Sequence, residues 1–82
     1  MKLPRDIGGE ELANLLTKYG YQITRQTGSH MRLTSSLKGT EHHITIPRHK
    51  SLKVGTLSGI VKDVALYLEI DKQRLIEELF KG

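Results

Sequence analysis

Of the four histidines in this 82-residue chain, His30 has the most suggestive neighbours, because it closes the tripeptide Gly28-Ser29-His30 between two segments rich in strand formers. Gly28 accepts a sharp turn, Arg32 follows on the same strand face, and Arg25 flanks it, so the imidazole stands among cations. That setting suits phosphate chemistry. Cleaving RNA without a metal requires a base for the 2′-hydroxyl proton, an acid for the leaving oxygen, and cations for the charge on phosphorus. His30 can perform either proton transfer, while Arg25, Arg32, Arg48 and Lys50 can hold phosphate.

Pro47-Arg48-His49-Lys50 adds two cations and a second imidazole, with Lys53 close behind, in a loop able to reach the rim of a sheet. His49 is therefore a candidate proton-transfer partner. The same residues also fit a blander surface, with an inert turn histidine and a solvated basic loop. His42 and His43 invite a metal reading, but adjacent strand residues point to opposite faces, and a chain without cysteine completes no familiar zinc spacing. Neither a metal nor any other cofactor is expected. Gly55-Thr56-Leu57-Ser58-Gly59 can offer amides to a phosphate but lacks the lysine of a nucleotide-binding loop, so a helix start packed closely on the sheet is expected there.

Charge supports a polyanionic partner. The net charge is +4, and Arg25 to Lys62 alone holds seven Lys/Arg against a single acid, Glu41. Such clustering favours phosphate contacts and counterion release. Composition describes a folded chain, with 37% apolar and 27% charged residues and two prolines. One domain over residues 1–82 is expected, held by hydrophobic packing alone. No stretch approaches the roughly 20 apolar residues of a membrane span, and the start lacks a signal-like apolar core, so a cytoplasmic protein with no membrane partner is expected.

The elements follow from periodicity. Leu12, Leu15, Leu16 and Tyr19 recur at helical spacing before Gly20, predicting a helix over Gly9 to Tyr19. Residues 21–26 and 30–34 read as a hairpin, and His42 to Ile46 as a third strand ended by Pro47. Alternation puts Ile23, Met31, Leu33, Ile44 and Ile46 on one face, and Thr24, His30, Arg32, Thr34, His43 and Thr45 on the other. Leu57, Ile60, Val61, Val64 and Leu68 form a second helical stripe. Asp71 caps a shorter helix with Leu75, Ile76, Leu79 and Phe80 on its docking face. The expected fold is α+β, with a three-stranded antiparallel sheet, helices on one face and a short C-terminal helix.

Gly20-Tyr21, Arg25-Gln26-Thr27-Gly28-Ser29-His30, Ile44-Thr45-Ile46-Pro47-Arg48-His49-Lys50 and Leu52-Lys53-Val54-Gly55-Thr56-Leu57, in this order, resemble the HicA toxin family, formerly the YcfA-like proteins. The likeness runs from about Leu3 to Val64. It implies a double-stranded-RNA-binding-domain-like α-β-β-β-α fold and messenger-RNA cleavage that arrests translation. It also implies a HicB antitoxin that covers the active site in a hetero-oligomer. The family's catalytic histidine falls on His30, with Arg25, Ser29, Arg32, Arg48, His49, Lys50 and Lys53 as expected RNA contacts. Two departures stand out: Thr27 replaces a commonly basic residue, and the second helix runs on through Val64-Ala65-Leu66-Tyr67-Leu68 where members commonly turn. Competing readings are a non-catalytic module for duplex RNA and a basic surface for an acidic protein.

Overall fold

A computed structural model describes residues 3–81. The order is α1 (Gly9–Leu15), a 3₁₀ turn (Leu16–Tyr19), β1 (Gln22–Gln26), β2 (His30–Ser35), β3 (His42–Pro47), α2 (Val54–Leu68) and α3 (Lys72–Phe80). This is the α-β-β-β-α arrangement with a terminal helix that the periodicities predict. The first helix tightens over its last four residues, where a longer α-helix was expected. Gly20 takes a left-handed φ of 81°, and the Gly20 and Tyr21 amides donate to the Thr17 and Leu16 carbonyls, so the chain turns out without leaving those acceptors bare.

The sheet has the order β1-β2-β3 and is antiparallel throughout. Met31, Leu33, Ile44 and Ile46 are buried beneath the helices, packed with Leu12, Leu16, Leu57, Val61, Val64 and Leu75. Alternation leaves His30, Arg32, His43 and Thr45 on the exposed face. Ile23 departs from expectation. It pairs with Leu33 and so shares the covered face, yet it is 48% exposed, because it lies on an edge strand. A register shift between Ile23 and Arg25 makes Thr24 an extra residue, and Arg25 then stands opposite Arg32.

His42 and His43 point to opposite faces, as the pleat requires. His42 stacks on Tyr67 with ring centroids 4.7 Å apart, and its Nδ1 lies 2.6 Å from the hydroxyl of the fully buried Tyr21. Tyr67 in turn donates to the Thr40 carbonyl, with the Ser35 carbonyl also within reach at 3.3 Å, and accepts the Lys38 amide, which ties the β2–β3 loop to α2. The α2 stripe is as expected, with Ile60 half-buried. Close packing at Gly55 and Gly59 is not observed, since a Cβ at either would meet nothing within 4 Å.

The close approach lies at Gly8 and Gly9 instead. A Cβ on Gly9 would come 1.9 Å from the Pro47 carbonyl oxygen, and one on Gly8 2.8 Å from that of Lys50. The Gly9 amide donates to the His49 carbonyl at 2.9 Å, and the Leu52 amide to that of Ile7 at 2.7 Å. The basic loop is thereby fastened to the start of α1. At the other end, Asp71 caps α3 through the Arg74 amide, and the Tyr19 hydroxyl donates to Glu78 at 2.7 Å. No helix among the described residues is long and apolar enough to cross a membrane.

Two predictions follow from this packing. Gly9→Ala forces a methyl against backbone and should destabilise by about 1–3 kcal/mol in urea unfolding. Gly28→Ala, with open space around it, should be neutral or slightly stabilising. Equal losses for the two would contradict the Gly9 contact.

Burial and the Glu78 hydrogen bond push the Tyr19 phenol up to about 12, and burial pushes Tyr21 further in the same direction. Both favour the neutral phenol in the fold. Their contribution is complete below the ordinary value near 10 and is lost as pH rises through the native values. Stability measured by denaturant should therefore decline from about pH 10 upward. A flat profile through pH 12 would exclude it.

Candidate active site

The turn from β1 into β2 is closed by Thr27. Its amide donates to the His30 carbonyl at 2.9 Å, and its hydroxyl accepts the His30 and Ser29 amides at 3.1 and 3.3 Å. A short hydroxyl side chain thus satisfies a turn that Gly28 leaves open. Within it, Ser29 Oγ lies 2.9 Å from His30 Nδ1. The contact orients the ring, and His30 Nε2 has no partner among the described residues. When Nδ1–H donates to Ser29, Nε2 is a free base in the neutral ring and, once the ring takes a second proton, an acid. One hydroxyl supports both roles.

Arg48 is placed differently from a simple phosphate ligand. Its amide donates to the Ser29 carbonyl at 2.8 Å, continuing the β2–β3 ladder beyond the His30–Pro47 pair. Its guanidinium donates to the Thr27 carbonyl at 3.0 Å and approaches Glu10 at 3.7 Å, with the side chain 27% exposed. A hydrogen bond from a charged donor contributes about 1.5–3 kcal/mol, against less than about 1 kcal/mol for a surface ion pair. The contact to the turn dominates. Arg48 therefore staples the His30 turn from the β3 side.

The other expected contacts remain available. Arg25 and Arg32 meet across the bulge on the exposed face, and Lys50 and Lys53 are exposed on the loop fastened to α1. None of these four side chains has a hydrogen-bond or ion-pair partner among the described residues. His49 follows Arg48 directly; its carbonyl serves Gly9, and its ring is exposed and unpartnered among the described residues.

One constellation escaped the sequence reading. Thr24 Oγ1 lies 2.9 Å from Thr34 Oγ1, Thr34 Oγ1 lies 2.8 Å from His43 Nδ1, and His43 Nε2 is 3.5 Å from Glu41. Alternation already groups the two threonines with His43; only the strand register brings them into contact. His43 pairs with Thr34, four residues along β2 from His30, which is about 13 Å at ordinary strand rise. That is beyond direct proton transfer to the same phosphate. Among the described residues, no group of three His, Cys, Asp or Glu could hold a metal ion.

Fold and site together define a small α+β domain that presents a hydroxyl-held imidazole at a hairpin rim, beside arginines that are unpaired among the described residues, on an exposed sheet face. A family model described as HicA toxin of bacterial toxin-antitoxin matches residues 9–66, and the chain belongs to that family. Membership in a toxin–antitoxin family implies an antitoxin partner. Searches of curated proteins and of solved structures give no match to the chain.

Removing the guanidinium in Arg48→Ala should speed amide exchange at Ser29 and His30 and cost about 1.5 kcal/mol or more of stability. Glu10→Gln should cost less than about 1 kcal/mol. Unchanged exchange in Arg48→Ala would show that the turn holds itself.

Proposed function

We propose that this toxin is an RNA endonuclease in which His30 Nε2 moves the proton at the scissile phosphate. The carrying observation is the outward imidazole: Nδ1 engaged by Ser29 at 2.9 Å, Nε2 unpartnered among the described residues, and Arg25 and Arg32 on the same sheet face. RNA supplies its own nucleophile. Deprotonation of a 2′-hydroxyl lets that oxygen attack phosphorus, the 5′-oxygen leaves with a proton from an acid, and a 2′,3′-cyclic phosphate results. Cations neutralise the charge that builds on phosphorus. The chemistry therefore asks for no metal.

Arg25, Arg32, Lys50 and Lys53 hold the backbone in this reading, Ser29 orients the ring, and Arg48 holds the turn while its exposed edge meets RNA. His49, one residue past the last ladder bond, is the histidine nearest to His30 in strand register and the candidate for the complementary proton transfer. Messenger RNA is the substrate and the cytoplasm the site of action. An acidic HicB-type antitoxin would cover the same face in a hetero-oligomer, competing with RNA for the basic surface.

The test is cleavage of single-stranded and duplex RNA in the presence of a chelator. His30→Ala should retain its fold and lose at least about 100-fold in rate, the usual contribution of a positioned acid or base. Normal cleavage by folded His30→Ala would overturn the assignment. Tight duplex binding with no cleavage by the wild type would instead favour a binding module.

A further inference from the structure

Glu41 is the only acid between Arg25 and Lys62, and it stands on the end of the sheet face that the previous reading gives to a polyanion. A carboxylate there repels phosphate. It is 67% exposed, and an exposed pair such as Glu41–His43 adds little to stability, so stability does not account for it. The pair is nevertheless ordered. Thr34, its hydroxyl also in contact with that of Thr24, holds His43 Nδ1 from the sheet side, and His43 Nε2 faces one Glu41 oxygen at 3.5 Å.

We propose that Glu41 and His43 form a base-reading subsite for the RNA strand cut at His30, taking a nucleobase that presents an exocyclic amino group. The proposal rests on the ribonuclease reading. An ionised carboxylate is acceptor-only with about four lone-pair sites, so the contact to His43 leaves most of its capacity for N–H donors. Cytosine N4 is the donor that glutamate accepts most simply, whereas uracil shows an acceptor at that position and is repelled. The His43 ring, half exposed, offers a face on which a splayed base can stack.

Placement agrees with this division of labour. Phosphate contacts position a strand, and base contacts specify it. Arg32, opposite Thr45 and beside Arg25, lies between His30 and the Thr34–His43 pair on the same face. A strand running along β2 would therefore meet the imidazole, then cations, then the carboxylate. The offset of about 13 Å puts the base that is read outside the scissile linkage.

The experiment uses full-length protein and a set of short single-stranded RNAs in which each position near the cut is cytosine or uracil in turn. Wild type should cleave with a cytosine preference at one position displaced from the cut. Glu41→Gln, which keeps the shape and removes the charge, should lower that preference about tenfold through KM, with an unchanged melting temperature. His43→Ala should lower the same preference by releasing the carboxylate. No cytosine preference in the wild type, or the same preference in Glu41→Gln, overturns the proposal. A second arm measures binding of the same RNAs to His30→Ala with and without Glu41→Gln. There the cytosine-over-uracil ratio is read without cleavage, so failure of the nuclease reading and failure of the subsite give different results.

Discussion

The approach of Gly9 to the end of β3 is the contact on which the rest depends. With no side chain on either Gly8 or Gly9, the start of α1 lies against the Pro47 and Lys50 carbonyls, and the Gly9 amide serves His49. This single junction sets how the first helix crosses the sheet and fixes the path of the basic loop. It also brings Glu10 beside the Arg48 guanidinium, whose other contact is the Thr27 carbonyl. Helix, loop and His30 turn are thereby joined through a few backbone groups at one corner.

A three-stranded sheet covered on one side divides its residues strictly. The covered face supplies Met31, Leu33, Ile44 and Ile46 to the core, and the same pleat forces His30, Arg32, His43 and Thr45 into water. The bulge after Ile23 modifies this division where it matters. Without it, Arg25 would alternate onto the face of Ile23; with it, Arg25 stands across from Arg32. A cationic pair on the open face thus rests on one extra residue in an edge strand.

The four histidines illustrate how environment assigns roles to one side chain. His42 is drawn into the aromatic contact with Tyr21 and Tyr67 and helps order the β2–β3 loop. His43, its neighbour, joins hydroxyls and Glu41 on the other face. Among the described residues, His30 keeps one nitrogen open, and His49 keeps its ring unengaged while lending its backbone to α1. Cations divide similarly: Arg48 is spent largely on the turn, which leaves Arg25, Arg32, Lys50 and Lys53 for a partner.

Much of this was legible in the linear chain, for local physical reasons. Helical and strand periodicities, the stops at Gly20 and Pro47, and the Asp71 cap depend on neighbours a few residues away, so they gave the element order and the inward and outward sides of β2 and β3. Gly28-Ser29-His30 and the basic loop were equally local, and the ordered motifs around them pointed to the family. What tertiary structure alone decided is pairing across distance. The exposure of Ile23, the Arg48 contact with Thr27, the Thr24, Thr34 and His43 chain, and the tight glycines at 8 and 9 rather than 55 and 59 all depend on register and on how elements meet. Periodicity states which way a side chain points; only packing determines what stands opposite it.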